Sequence, residues 1–465
     1  MKYIIAFALL ISTIAISKAQ EGQPLDIDRI TQLVEEYVEE ENIPSVVVGL
    51  VQDGELRHVI SRGEMKRGSG QAVNQATGYQ IASLSKSFTA IILRHLEAEG
   101  KLSMDQSIAS FMKDEINAEA LPQYEKMSLA DVLQHRSGLP NNGESIPPTP
   151  NGAPMLGGYT QEGFLKDLSS LKIDQDKVGK FNYSNLGFGL LGHIAEKVSG
   201  QSYEELLKKY ILEPNNMGFT TSLLNEATRS RLATPYMVGG DRTAETKPWE
   251  MGKNIPAGGI LSNVEDLSRL MIKEMEAYKA YKENGTSSPY VLVEDALPLN
   301  DYMHYGYGFF ESRNTFDTTV VQLGHGGDVD GFGSHYEFYP EHGVGLIILT
   351  ASGAGGFNEL KSRVERVMVG IPLPKEISVT KEVLRKYTGT YEFESGTVIK
   401  LYRKGTTLKA YVRGWWAQEI YPESETRFNW RDRNEAFEFE LDEKGKLARA
   451  VFWQNGKRYY PKKIK

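Results

Sequence analysis

The sequence has no cysteine among its 465 residues, which excludes disulfides, a lipid-modified thiol and thiolate metal sites. Histidine is sparse, with eight residues, and none shows the H-E-x-x-H spacing of a zinc enzyme. Positive charge is in deficit. Fifty-three basic residues face 61 acidic ones, a net of −8, which argues against nucleic acid as a partner. Long apolar runs are also absent, apart from Tyr3 to Ile16. That run is shorter than the ~20 residues needed to span a bilayer. It follows Met1-Lys2 and ends at Ser17-Lys18-Ala19, so it predicts a signal peptide over residues 1–19 cleaved after Ala19. The expectation is a secreted or periplasmic protein that keeps no stable membrane anchor.

What remains is an ordinary globular composition, 40% hydrophobic and 25% charged, in a chain long enough for two domains. The character changes at Gly370-Ile371-Pro372-Leu373-Pro374, where two prolines favour an extended connector. Residues 371–376 therefore read as a linker. Beyond it, Phe437 to Leu441 and Leu447 to Trp453 alternate at period two, and Lys404-Gly405 and Asn455-Gly456 supply hairpin turns. Residues 377–465 are expected to form a small antiparallel, lipocalin-like β-barrel. Before the linker, residues 20–370 mix helices with strands. Helices are predicted over Ile30 to Glu39, Leu186 to Val198 and Asn358 to Val369. Strands are predicted over Ser45 to Gln52, Val320 to Leu323, Tyr336 to Tyr339 and Val344 to Thr350. Strands at both ends with helices between predict an α/β domain whose one sheet is closed by distant segments around a helical insertion. Pro140 to Gly158 is a long loop suited to an active-site rim. Charge divides unevenly too. Residues 376–465 carry 19 basic and 13 acidic side chains, so the acidic excess lies in the first domain and electrostatic docking is expected.

Three short motifs could carry chemistry. Ser83-Leu84-Ser85-Lys86 at a helix start places the lysine one turn below the serine, where a buried ammonium can lose its proton or hold an anion. Ser169 to Lys172 and Ser378 to Lys381 share the spacing, but only Ser83 stands between a strand end at Tyr79-Gln80-Ile81-Ala82 and an amphipathic helix. Tyr183-Ser184-Asn185 is the one Y-x-N among 24 tyrosines. Beside an ammonium, its phenol is expected to have a lowered pKa and can work as a base, with the choice between it and Lys86 left open. Its asparagine amide can hold a lysine and a substrate amide together. Gly324-His325-Gly326-Gly327 follows a strand, and glycines there let a substrate approach backbone N–H donors of an oxyanion hole. Gly187 to Gly192 reads G-x-G-x-x-G but lacks the preceding βαβ strand of a dinucleotide site. His193 reads as a core residue.

The three motifs and their order resemble the serine β-lactamase and penicillin-binding-protein superfamily, in its class C and D-Ala-D-Ala-carboxypeptidase-like branch. Supporting segments are Ile81 to Lys86, Leu133-Gln134-His135-Arg136-Ser137-Gly138-Leu139-Pro140, Phe181 to Gly187, Glu213 to Gly218, Pro256-Ala257-Gly258-Gly259-Ile260, Tyr305-Gly306-Tyr307-Gly308 and Gly324 to Gly327. The resemblance implies an acyl-enzyme at Ser83, with Lys86 and Tyr183 sharing acid and base work. It implies Asn185 against the substrate amide, and the backbone N–H groups of Ser83 and of Asp328, after Gly327, as the oxyanion hole. It also implies no metal or organic cofactor. The substrate would be a small molecule or peptide: a D-amino-acid peptide, an ester or a β-lactam. A sensor that acylates without turning over is the alternative. Two positions depart from the family: Arg136 stands where threonine is common, and His325 stands where many β-lactamases have lysine. A mostly neutral histidine lacks the fixed charge that pairs with a substrate carboxylate. It is expected to charge as the pH falls toward 6.

Overall fold

The computed structural model describes residues 24–465 except 149–155, 240–241, 354–356, 414–416 and 455. The expected signal segment, Trp415, Trp416 and Asn455 therefore lie outside the described residues. The centre of the molecule is a pairing between distant segments. Strand Ser45–Gln52 runs antiparallel to Val344–Thr350, with Val46 opposite Thr350. On its other edge lies Glu55–Gly63, reached through Asp53 and Gly54 at φ of 54° and 75°. Phe332–Tyr339, Val321–Val329, Phe310–Arg313, Met303–Tyr305 and Leu297–Asn300 complete an eight-stranded sheet.

Both faces of this sheet are covered, which explains the unbroken apolar run from Val46 to Val51 within Ser45–Gln52. Val47 and Val51 enter the larger core, beneath the helical insertion. Val46, Val48 and Leu50 enter a second core, packed with residues of helices Ile27–Glu40 and Phe357–Met368. Gly49 has no room for a side chain, since a Cβ there would meet Val264 at 2.4 Å, and helix Val264–Asn284 packs directly on the strand. The predicted helix after Tyr183 spans Asn185–Ser199, opened by the Ser184 hydroxyl accepting from Gly187 N–H and closed by Gly200 at φ 70°. Its G-x-G-x-x-G glycines serve packing: a Cβ at Gly192 would lie 2.1 Å from Pro256, and one at Gly189 would lie 2.9 Å from the Lys253 carbonyl. His193 is buried against Glu115, its Nε2 2.6 Å from a carboxylate oxygen.

The second core contains an ionic cluster. Lys361, 21% exposed, lies 3.3 Å from Glu337 and 3.4 Å from Glu365. The Tyr339 hydroxyl is 3.0 Å from each carboxylate, and His335 Nε2 is 3.1 Å from Glu337. Burial works against the Lys361 ammonium, but the two carboxylates outweigh it and hold its pKa above the ordinary lysine value.

The C-terminal domain is a curled antiparallel sheet of nine strands, a half-barrel. Its edge strands are Lys457–Tyr459 and Lys462–Lys463, neighbours in sequence at opposite ends of the sheet. Helix Lys381–Tyr387 packs into the concavity with Tyr391, Phe428, Trp430, Phe437, Phe439 and Phe452. The half-barrel is bolted to the first domain through Arg431. Its guanidinium, 3.5 Å from the Tyr421 ring centre, reaches Glu376 at 2.7 Å, Glu359 at 2.7 Å and Glu40 at 3.2 Å.

Candidate active site

Strand Tyr79–Gln80 pairs with Leu261–Ser262 and delivers the chain to Ala82, whose φ of +48° is rare for a residue with a side chain. Such strain, held by surrounding structure, is a common mark of functional sites. A single 3₁₀ turn, Ala82–Leu84, carries Ser83, and the α-helix Ser85–Ala98 begins immediately after it with Lys86 in its first turn. Ser83 and Lys86 therefore share a side, with Nζ 3.1 Å from Oγ.

Lys86 is fully buried with neutral oxygen partners. Its amine donates to the Ala257 carbonyl at 2.7 Å and to Asn185 Oδ1 at 2.8 Å, and sits 4.7 Å from the centre of the Tyr183 ring. Burial pushes its pKa well below the ordinary lysine value. As an ammonium, Lys86 also donates to Ser83 Oγ at 3.1 Å; once deprotonated, its two N–H bonds stay with these acceptors and its lone pair faces the Ser83 hydroxyl. The Tyr183 hydroxyl donates to Ser83 Oγ from the other side at 2.8 Å. Here one expectation is corrected. Burial raises the Tyr183 pKa, with the Ser83 hydrogen bond offsetting only part of it, so the expected lowering is not what the site produces.

The glycine motif lies against the same serine. A Cβ at Gly327 would sit 2.1 Å from the Ile81 carbonyl and 2.8 Å from the Ser83 nitrogen. Only glycine lets this strand approach the nucleophile's backbone N–H. The Ser334 hydroxyl, on the neighbouring strand, donates to the same Ile81 carbonyl at 2.7 Å. Asp328 follows, exposed near the end of Val321–Val329. His325 is buried against the rings of Phe310 and Tyr305, and its Nδ1 donates to the Gly326 carbonyl at 2.5 Å. Burial, then nearby Lys86, pushes its pKa down to about 3. The expectation that it charges near pH 6 is therefore corrected; it stays neutral throughout the working range.

A ladder of hydrogen bonds seats the tyrosine loop. The Asn182 N–H donates to the His135 carbonyl at 2.6 Å and the Ser184 N–H to His135 Nδ1 at 3.1 Å. The Ser184 hydroxyl donates to the Pro140 carbonyl at 2.6 Å. Asn185 spends one amide hydrogen on Asn141 Oδ1 at 3.1 Å, leaving the other for a ligand. His135, Asn141 and the Ala257 carbonyl were not among the expected site residues. His135 and Ala257 stood in family-like segments, but a carbonyl acceptor leaves no side-chain signature. Among the described residues, no group of three or more His, Asp or Glu is placed to hold a metal ion.

A serine held between a buried amine and a phenol, at the junction of an antiparallel sheet and a helical insertion, defines the serine acyl-transfer class. The Beta-lactamase family model matches residues 30–366, and the chain belongs to that family. It is 24% identical over 374 residues to penicillin-binding protein 4 of Amycolatopsis lactamdurans, across 77% of this chain and 95% of the relative. In fold it is similar to the octameric penicillin-binding protein homologue from Pyrococcus abyssi, with a TM-score of 0.68 and 24% identity. That likeness spans 94% of this chain and all of the other. A class C beta-lactamase from Rhodobacter sphaeroides matches with a TM-score of 0.61 and 20% identity, covering 74% of this chain and 99% of its own.

Proposed function

We propose that the protein is an exported serine hydrolase that acylates Ser83 and hydrolyses an uncharged ester or a D-amino-acid amide or peptide. The observation that carries this reading is the Ser83 oxygen lying 3.1 Å from a fully buried Lys86 amine and 2.8 Å from the Tyr183 hydroxyl. Lys86, held neutral, takes the Ser83 proton as Oγ attacks the substrate carbonyl. The Ser83 and Asp328 N–H groups stabilise the oxyanion. Tyr183 passes its proton to the leaving group and is reprotonated from Lys86 as the ester forms. Asn185 meets the substrate amide with its remaining N–H. Water then attacks the ester by the same groups in reverse. Neutral His325 supports an uncharged neighbour beside the scissile bond, since it offers a carboxylate no fixed positive partner.

The test is intact-mass analysis during turnover of a p-nitrophenyl ester and an amidated D-peptide, with a serine-directed phosphonate as the irreversible probe. One label on the peptide containing Ser83, abolished in Ser83→Ala, is the expected result. Labelling elsewhere, or unchanged turnover in Ser83→Ala, overturns it. A burst of acylation without steady turnover selects the acylating sensor instead.

A further inference from the structure

Tyr183 must hold its hydroxyl at hydrogen-bond distance from Ser83 Oγ, 2.8 Å, yet it lies on a loop ahead of its helix. The segment that restrains it is centred on one residue. His135 binds the backbone on both sides of the tyrosine: its carbonyl accepts from Asn182 N–H at 2.6 Å, and its ring Nδ1 accepts from Ser184 N–H at 3.1 Å. The same ring packs against Tyr183, with centroids 4.3 Å apart, and against Tyr305, 5.1 Å away and inclined by 29°. His135 is fully buried and adopts φ of +55°, an uncommon region for residues with a side chain, in which asparagine, aspartate and histidine are the commonest. Its Nε2 has no hydrogen-bond partner among the described residues. A buried polar nitrogen without a partner is unfavourable, and a phenylalanine or leucine would fill the volume without it. What a hydrocarbon lacks is the acceptor at Nδ1.

We propose that His135 is the positioning residue for Tyr183, clamping the peptide on either side of it through a ring whose Nδ1 carries no proton. The proposal rests on the reading of Tyr183 as the group that protonates the leaving group. It separates His135 from a residue that merely fills the core, because the clamp requires an acceptor at one ring position. Its loss weakens a single step, the departure of a poor leaving group. A p-nitrophenolate needs no proton to leave, whereas an amide nitrogen does.

The experiment compares His135→Ala, His135→Asn, His135→Gln, Tyr183→Phe and the double variant His135→Ala/Tyr183→Phe, on an amidated D-peptide and on a p-nitrophenyl ester. Asparagine restores an acceptor near Nδ1 and tolerates the left-handed backbone, whereas glutamine carries its polar group toward Nε2. With the clamp, His135→Ala loses amide turnover by about a hundredfold, the scale of positioned proton transfer. Its ester turnover falls by less than about tenfold, and His135→Asn recovers most of the amide loss while His135→Gln does not. In the Tyr183→Phe background the alanine change adds little, because one positioned group has already gone. Equal losses on both substrates, or no advantage of asparagine over glutamine, overturn the clamp. If His135→Ala fails to fold, the asparagine and glutamine pair decides alone. Unchanged amide turnover in Tyr183→Phe sinks the tyrosine assignment itself. A large loss there that simply adds to the His135 loss sinks the clamp while leaving the assignment standing.

Discussion

Two lysines lie on opposite faces of the same sheet, and burial acts on both. Lys86, in the larger core, has only a carbonyl, an asparagine oxygen and a hydroxyl within reach. Lys361, in the second core, has two carboxylates. Burial alone lowers the pKa of the first well below the lysine norm, while the carboxylates overcome burial and raise that of the second. Burial disfavours charge on the first lysine while two carboxylates preserve it on the second, and the difference lies in the formal charge of the acceptors. The two also push stability in opposite senses with pH. Burial depresses the Lys86 pKa in the folded chain, so between that depressed pKa and the unfolded value near ~10.4 the unfolded chain binds the extra proton, and stability rises with pH. The contribution of Lys361 is complete below ~10.4 and is lost only as the pH climbs above that toward its raised value.

The comparison breaks most sharply if the lysines are removed. Lys86→Met is expected to lower turnover by about 10²–10⁴-fold while leaving a folded protein, read from steady-state rates beside thermal unfolding. The same variant should flatten the pH dependence of stability, whose slope for one proton is ~1.4 kcal/mol per pH unit. A retained slope would show that Lys86 stays charged. Lys361→Met leaves Glu337 and Glu365 buried without their cation. It should cost about 3 kcal/mol of stability by denaturant titration, with the specific activity of the folded fraction kept. Equal loss of activity and stability would mean that the two faces are coupled.

Asn185→Asp converts the first lysine toward the second, since it puts a carboxylate where Oδ1 now sits 2.8 Å from Nζ. The Lys86 pKa should rise, moving the acid limb of kcat/KM to higher pH by about 1–3 units. An unmoved limb would assign the base elsewhere. The smallest effect concerns His325→Lys, which adds a cation beside the site. It should favour nitrocefin over a p-nitrophenyl ester by roughly ten- to a hundredfold, the value of one charge-assisted hydrogen bond. In the unmodified protein the ester should remain the better substrate at pH 7.5 and at pH 6 alike, because His325 titrates only near pH 3. A narrowing of that preference at pH 6 would show a histidine less buried than described.

Legibility followed the reach of each interaction. Ser83 and Lys86 were readable because three-residue spacing at a helix start dictates a shared side, and the strand Ser45–Gln52 because its interior, Val46 to Val51, is apolar on both faces. The protonation of Tyr183 was not, because the motif names its neighbours but not the burial that outweighs them. The Lys361 cluster draws on residues 337, 339 and 361–365, with no local pattern to join them. Arg431 was foreshadowed only as an excess of basic residues after the linker, which says that charges could meet but not which ones. The half-barrel's strands were visible as alternation, yet which edges stay unpaired depends on long-range register that alternation does not carry.

The pairing of Val46 with Thr350 also sets a schedule. A strand apolar on both faces emerges early in synthesis, and its central partner follows about three hundred residues later. At the usual ~5–20 residues per second, the wait is roughly 15–60 s. During that interval Ser45–Gln52 can pair with Glu55–Gly63 only as an isolated hairpin, which is marginal in water. The first domain cannot close around its sheet until nearly all of it has been made. Anything that binds extended apolar segments therefore has that long to find this one.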